Sequence, residues 1–326
     1  MKKYLPIVFF IVALGFVIAG CGKTEAQPDQ KITAPTFGPQ ITGKILYEWK
    51  GFDKSKYGTP VGFCIYANGE IQKILPKTSY ATWIMKGIVL RSLNQQRRTD
   101  LRNLEVYDME NDKIEQSLVA PNSIARAKLL ANRKQLLVQV AEQKNKKYTD
   151  NLAILDSQTN ELKKITKFPV GSDWSIFGFD ISQDESKIAY SYGRTNELKR
   201  QIKIIDINGS EIEELLFDAT SPAWSPDGER LVFTAPYHND KSGLSDIEIT
   251  LYDFQTKKAT RLTHHEGIAS TPDFSPDGKQ IVYVLWYAGG RVKNLAVINI
   301  DGTGFQTLLP EDHIRQGQVS NPDWGP

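Results

Sequence analysis

Short apolar runs recur along the chain from residue 41 onward, and each alternates with polar residues as a half-buried β-strand does. No helical periodicity is apparent in this region. The runs LEVYD, LAILD, IKIID, ITLYD and LAVIN end at Asp108, Asp156, Asp206, Asp253 and Asn299, so they repeat every 46 to 50 residues. A period of about 40 to 50 residues with four strands in each unit predicts a β-propeller blade.

Two segments show the repeat most clearly: PAWSPDGERLVFTA from Pro222 and PDFSPDGKQIVYVL from Pro272. A weaker copy, FDISQDESKIAYSY, starts at Phe179. In Ser-Pro-Asp-Gly, proline fixes φ, aspartate hydrogen-bonds the nearby backbone and glycine accepts positive φ. We expect Trp224 and Phe274, which precede these turns, to pack between neighbouring blades. We therefore predict that these residues have a structural role and no catalytic role.

Counting the inner strands, which are the strands nearest the ring axis, assigns a role to the C-terminal residues. Inner strands are predicted near Ala81, Ala125, Phe179, Pro222 and Pro272, whereas residues 41–76 hold three strands that no inner strand precedes. The missing inner strand is NPDWGP, at residues 321–326. The sequence thus predicts an all-β, six-bladed β-propeller closed by a C-terminal inner strand that completes the N-terminal blade. Closure of this kind removes exposed strand edges.

These repeats closely resemble those of TolB-like (WD40-like, PD40) propellers, most strongly in the blades that start at residues 222 and 272 and partly in the blade at 179. The resemblance implies a periplasmic or cell-surface binding platform. The motifs are specific for the fold and carry little information on function.

The N-terminus has the pattern of an export signal. Lys2 and Lys3 precede an apolar run that extends to Ala19. Ile18-Ala19-Gly20-Cys21 resembles the bacterial lipobox, which implies lipidation of Cys21; an uncleaved anchor is the alternative. We therefore expect residues 1–20 to be a lipoprotein signal peptide, 21–40 a lipidated flexible tether and 41–326 the TolB-like propeller. The protein would be lipid-anchored in the bacterial cell envelope, on the periplasmic side of a membrane or on the outer cell surface.

No familiar catalytic motif is present: the chain has no Gly-x-Ser-x-Gly elbow, Walker loop, zincin helix or Cys-x-x-Cys pair. We predict a non-enzymatic protein without metal or cofactor. His264 and His265 are adjacent in an extended segment and point to opposite sides, so they form a poor chelate. Cys64 lies in an apolar strand and is predicted to be a core residue.

An alternative function uses the propeller channel. Asp180, Asp273 and Asp323 lie on predicted inner strands. They could serve an enzyme or a small-ligand binder that acts on a glycan or a lactone-type substrate, and Asp180 and Asp273 could instead coordinate an ion on the ring axis.

Charge suggests where a partner binds. The whole chain has a formal charge of only +2, but the loops between second and third strands are basic. Such a face would attract an envelope protein or an anionic envelope polymer; solubility is the alternative explanation. Export argues against nucleic acid, and we expect a monomeric propeller. The candidate basic residues are Arg97, Arg98, Arg102, Lys144, Lys146, Lys147, Arg194, Lys199, Arg200, Arg291 and Lys293.

Overall fold

The computed structural model describes residues 41–51, 61–76, 78–93, 103–119, 124–197, 199–215, 218–238, 245–265, 267–287 and 293–326. The predicted signal peptide and tether, including Cys21, lie outside the described residues, and so do the candidate basic residues Arg97, Arg98, Arg102 and Arg291.

Antiparallel β-sheets of consecutive strands make up the fold. The first sheet has the order β24-β1-β2-β3, and the next three have the orders β4-β5-β6-β7, β11-β10-β9-β8 and β12-β13-β14-β15. The strands of the first two sheets are β1 (Lys44–Gly51), β2 (Val61–Ala67), β3 (Glu70–Pro76), β24 (Gly317–Gly325), β4 (Thr78–Met85), β5 (Ile88–Leu93), β6 (Asn103–Asp108) and β7 (Lys113–Val119). Those of the next two are β8 (Ile124–Leu129), β9 (Gln135–Lys144), β10 (Lys147–Asp156), β11 (Leu162–Lys164), β12 (Trp174–Ile181), β13 (Ile188–Arg194), β14 (Gln201–Ile205) and β15 (Glu211–Leu215).

The remaining strands form one eight-stranded sheet with two halves. A single parallel residue pair, Ile247 with Ile268, connects the halves. The strands are β16 (Thr220–Trp224), β17 (Arg230–His238), β18 (Ser245–Asp253), β19 (Lys258–Arg261), β20 (Gly267–Phe274), β21 (Gln280–Tyr287), β22 (Lys293–Asn299) and β23 (Gln306–Thr307). The architecture is an all-β propeller.

The C-terminal strand completes the N-terminal sheet, as the sequence predicted. β24 pairs antiparallel with β1, from Lys44 opposite Gly325 to Gly51 opposite Gly317. The indole of Trp324 is buried, and its Nε1 donates a hydrogen bond to the Thr42 carbonyl at 2.8 Å. The two ends of the folded chain are therefore joined by backbone pairing and by core packing.

The hydrophobic core is divided into clusters, each of which lies between two neighbouring sheets. One cluster joins Leu104 and Val138, and another joins Ile204 and Phe233. A further cluster joins Val284 of β21 to Tyr47 of β1 and so connects the last sheet to the first. Burial of apolar side chains between sheets, at about 25 cal/mol per Å², therefore stabilises the arrangement around the whole ring.

Two sequence predictions about the repeats are confirmed. Trp224 and Phe274 are buried in clusters between sheets. In the turn after Trp224, Asp227 accepts a hydrogen bond from the Glu229 amide at 3.0 Å, and Gly228 has φ of 69°. The turn chemistry inferred from Ser-Pro-Asp-Gly is therefore the one the backbone uses.

One short helix departs from the all-strand expectation. α1 (Glu311–Gln316) lies between β23 and β24. Six residues are too few for a periodic apolar pattern to appear in the sequence, and none of them is buried. Within the described ranges, no helix combines the length and the apolar character that crossing a membrane requires.

Candidate functional site: the axial cavity

The strands β4, β8, β12, β16, β20 and β24, here called the inner strands, each bring one residue to an equivalent axial position. On β20 this residue is Asp273, which precedes the buried Phe274; on β24 it is Asp323, which precedes Trp324. Successive side chains on a strand point to opposite sides, so the residue that follows enters the core and the axial residue faces the centre. The axial residues are Thr82, Lys128, Asp180, Ala223, Asp273 and Asp323, all of which line one cavity.

The axial carboxylates bind the backbone of the next inner strand. Asp180 Oδ2 accepts a hydrogen bond from the Trp224 amide at 2.8 Å, and Asp273 Oδ2 accepts one from the Trp324 amide at 2.6 Å. Asp323 Oδ2 accepts from the amide of Trp83 at 2.7 Å. Hydrogen bonds to a charged acceptor are worth about 1.5–3 kcal/mol. These aspartates therefore have a structural role, because each ties one inner strand to its neighbour.

Lys128 supplies the positive charge at the centre of these acids. Its ammonium group forms an ion pair and hydrogen bond with Asp180. Burial lowers the pKa of Lys128, but the attraction of Asp180, Asp323 and Asp273 outweighs burial, so the net pKa is raised. Burial, together with repulsion from Asp323, raises the pKa of Asp273 well above its usual range.

The sequence left open an ion coordinated by Asp180 and Asp273. In the structure, the side chain of Lys128 supplies a positive charge near these carboxylates. The ammonium of Lys128 forms an ion pair with Asp180 and attracts Asp273. Among the described residues, no group of three or more His, Cys, Asp or Glu side chains is arranged to hold a metal ion.

The cavity above the axial residues has a volume of about 420 Å³. Its wall at the next level, two residues earlier on the inner strands, has mainly small side chains. β-bulges occur there on several inner strands, as between Thr220 and Ala223 and between Ser270 and Asp273. The wall residues at this level are Tyr80, Arg126, Gly178, Ser221, Thr271 and Asn321.

Three of these wall residues have left-handed backbone conformations. Ser221, Thr271 and Asn321 have φ of 53°, 51° and 50°, and each precedes a proline. Such a conformation is rare for a β-branched residue such as threonine and costs on the order of 1–3 kcal/mol. The Thr271 Oγ1 is buried and forms no hydrogen bond with any described residue. Backbone strain is thus concentrated around the cavity, as it often is at functional sites.

Arg126 is the one long cation of this wall. Its guanidinium forms no hydrogen bond or ion pair with any residue that the structure describes. Burial lowers the pKa of Arg126. Electrostatic interaction with the nearby Tyr80 and Asp150 raises it by a smaller amount, so the net pKa is lowered.

The described candidate basic residues lie around the loops between second and third strands, and several are engaged with their own chain. Lys147 forms an ion pair with Asp173 at 2.6 Å. Aromatic rings of strand residues lie under three others. Arg194 lies over Trp174, Arg200 over Phe177 and Lys293 over Trp286, with the cationic group 5.3, 4.0 and 5.3 Å from the ring centroid.

Three other basic residues form no ion pair with any described acid. Lys144, Lys146 and Lys199 are exposed, and their ammonium groups contact no described acid. The first two flank the β9–β10 turn, and the third lies in the neighbouring β13–β14 loop.

The other candidate residues are structural. Cys64 is fully buried, and burial raises its pKa to about 11, which confirms a core role. The backbone amide of His265 donates to Glu248 Oε1 at 2.7 Å, and its ring nitrogen Nε2 hydrogen-bonds the Tyr283 hydroxyl at 2.8 Å. His264 is exposed. The two imidazoles therefore do not act together as a chelate.

Comparison with known proteins shows which propellers this fold resembles. The family model described as the TolB beta propeller domain matches residues 133–292, just under half of the chain. This chain carries a TolB-like propeller. Its relatives include the Tol-Pal system protein TolB of Francisella tularensis subsp. mediasiatica, 32% identical over 118 residues, which are 35% of this chain and 26% of that protein. TolB of Alcanivorax borkumensis is 36% identical over 104 residues, or 31% and 23% of the two chains. The match thus spans about a quarter of these relatives.

The structural likeness is broader than the sequence match. The crystal structure of TolB from Acinetobacter baumannii aligns with a TM-score of 0.64 over 88% of this chain and 68% of that chain. The two share 17% sequence identity, so the likeness shows the fold alone.

Sequence analysis missed the two axial cations of the TolB-like propeller. Arg126 and Lys128 lie immediately before LLANRKQLLVQV, the poorest copy of the repeat. When Leu130 is aligned with Ser275 as the first residue of the turn, Lys128 falls on the position of Asp273. That alignment would have found Lys128 from the repeat alone.

Proposed function

We propose that this chain is a lipid-anchored envelope protein without enzymatic activity, whose six-bladed propeller binds an acidic envelope protein. The lipobox-like residues that end at Cys21 support the anchor. The blade count is supported by the separate four-stranded sheets and by the eight-stranded sheet, whose halves meet at only one residue pair. The name of the Tol-Pal system relatives supports a role in a protein assembly.

The observation that carries this proposal is the exposed, uncommitted lysines of adjacent loops, here called the open lysines: Lys144, Lys146 and Lys199. They lie at the end of the ring where the inner strands begin, because Trp174 at the start of β12 pairs with Arg194 at the end of β13. The axial cavity extends toward the same end, since its wall includes Ile176.

The opposite end of the ring is acidic for a structural reason. Its turns use aspartates as acceptors: Asp156 accepts from the Thr159 amide and Asp206 from the Ser210 amide. These hydrogen bonds hold the pKa of both carboxyl groups below the usual range. Acids required by turns at one end and lysines at the other polarise the surface, which steers an acidic partner toward the open lysines.

The axial acids support a binding role over catalysis. Asp180, Asp273 and Asp323 each accept a backbone hydrogen bond from the next inner strand. A general acid or base must exchange its proton with substrate, whereas these carboxylates are held in structural contacts.

The decisive experiment is crosslinking and capture from intact cells, using the full chain tagged at its C-terminus through a long linker. Replacement of the open lysines together (Lys144→Glu, Lys146→Glu and Lys199→Glu) should reduce the captured partner about ten-fold at low salt. The matched control, Lys113→Glu with Lys134→Glu and Lys279→Glu, reverses three exposed lysines at the opposite end and should capture normally.

Two results would contradict the proposed docking surface. One is undiminished capture by the open-lysine variant, and the other is equal loss in the control. Enrichment of an anionic polymer in place of a protein would redirect the proposal to that partner. The anchor is tested separately, because Cys21→Ser should release the protein from the membrane fraction.

A further inference from the structure

The axial cavity contains a guanidinium that forms no ion pair with any described residue. Arg126 is half-buried, and its remaining accessible surface faces the cavity. No described residue forms a hydrogen bond or an ion pair with it. An unpaired buried charge is costly unless a partner completes it. A planar guanidinium with paired N–H donors is best satisfied by a carboxylate or a phosphate.

The same cavity leaves room in front of Arg126. At its level Gly178 has no side chain, and Ser221 and Thr271 have small ones. A volume of about 420 Å³ falls within the usual range for small-molecule pockets, roughly 300–1,000 Å³. The space is therefore suited to a ligand of several non-hydrogen atoms, larger than a simple ion.

At the level of the axial residues, one level below Arg126, negative charge is in excess. Lys128 faces the carboxylates of Asp180, Asp273 and Asp323, so one ammonium meets three acids. Asp323 Oδ2 accepts hydrogen bonds from Trp83 and Thr82, but no described residue donates to its Oδ1. This level thus offers an acceptor to a cationic group on a ligand. The acids also disfavour a ligand that carries only negative charge.

The two levels are spaced for one ligand. Arg126 and Lys128 are two residues apart on β8 and so share one side of the strand, about 6.6 Å apart along its axis. Tyr80 lies within electrostatic reach of both Arg126 and Asp323. A cation above and excess carboxylate below give the cavity a dipole that matches a zwitterion.

We propose that the axial cavity binds a small amino-carboxylate, with its carboxylate on the Arg126 guanidinium and its ammonium on Asp323 Oδ1. This ligand site is independent of the partner that docks on the open lysines. It uses residues of the channel wall, and the open lysines are not among the residues that line the cavity, so the two ideas can fail separately.

Isothermal titration of the full chain in detergent tests the ligand site with three probes of similar length. 5-Aminopentanoate carries both charges, pentanoate only the carboxylate and pentylamine only the ammonium. We expect 5-aminopentanoate to bind at least ten-fold more tightly than either single-charge probe. Arg126→Gln should weaken it at least ten-fold, whereas Arg133→Gln, on the exposed surface, should leave its affinity unchanged.

The proposal is overturned if pentanoate or pentylamine binds as tightly as 5-aminopentanoate, or if none of the three binds. Unchanged affinity in Arg126→Gln would also overturn it. Should that variant fail to fold, the comparison of the three probes on the natural chain still decides. The open-lysine variant should bind 5-aminopentanoate normally, which separates this site from the protein-docking surface.

Discussion

Replacement of Lys128 by methionine tests the electrostatic account of the ring centre. Methionine has a similar volume, so the substitution removes the charge while packing changes little. In the natural chain, the ammonium forms an ion pair with Asp180 and attracts Asp273 and Asp323. The variant leaves three enclosed carboxylates without a cation, and we therefore expect a large loss of stability at neutral pH.

The magnitude follows from burial. Removing one partner of a buried ion pair typically costs about 3–5 kcal/mol. The Lys128 side chain retains 33% exposure, because it faces the cavity, and Asp180 retains 10%. Water in the cavity screens part of the interaction, so the lower end of the range, about 3 kcal/mol, is the expected loss.

The loss should depend on pH in a defined direction. Without Lys128, whose positive charge lowers it, the folded pKa of Asp273 rises further above the unfolded value of about 3.9. The folded state then holds protons that the unfolded state has released, so stability falls as pH rises above about 4. Each pH unit over which the folded state holds one extra proton changes the free energy of unfolding by about 1.4 kcal/mol. The deficit of Lys128→Met should therefore be largest near pH 7.5 and shrink toward pH 4.5.

Urea unfolding followed by tryptophan fluorescence at pH 7.5 and pH 4.5 measures this deficit. Lys163→Met, an exposed lysine on β11, is the matched control and should lose less than about 0.5 kcal/mol at both pH values. A deficit below about 1 kcal/mol at pH 7.5, or one that is equal at the two pH values, would show that Lys128 does not neutralise the axial acids.

Three further predictions test other parts of the fold. Trp324→Ala should lower the free energy of unfolding by about 3–5 kcal/mol, because its indole is buried in the closing strand, whereas Trp286→Ala, 39% exposed, should cost less; urea unfolding measures both. Glu248→Gln should cost about 2 kcal/mol in thermal unfolding, since the buried carboxylate accepts from Arg261 at 2.8 Å; an unchanged midpoint would contradict this. In a Cys21→Ser chain, Cys64 should resist thiol reagents until urea unfolds the protein, because burial raises its pKa to about 11; modification of the native chain would refute this.

The candidate site was only partly predictable. Asp180, Asp273 and Asp323 were predicted as candidate channel residues because they lie on predicted inner strands, and all three line the cavity. The hydrogen bonds that they accept from the next inner strand could not be predicted, because a carboxylate on a strand has the same sequence pattern whether it binds backbone, metal or substrate.

Local patterns determined the architecture. Strand alternation, the Ser-Pro-Asp-Gly turns and the unfinished repeat at the C-terminus predicted the inner strands and the pairing of β24 with β1. These features are visible in the sequence because turn geometry and strand periodicity depend on residues a few positions apart.

Only the tertiary structure decided what occupies the axis. Lys128 interacts with Asp180, Asp273 and Asp323, which come from distant parts of the chain, whereas Arg126 forms no hydrogen bond or ion pair with any described residue. Alignment of the repeats shows that such residues face the centre, but it does not show which charges become neighbours there. Charge pairing depends on distance and burial across the ring, and both arise only when the propeller closes.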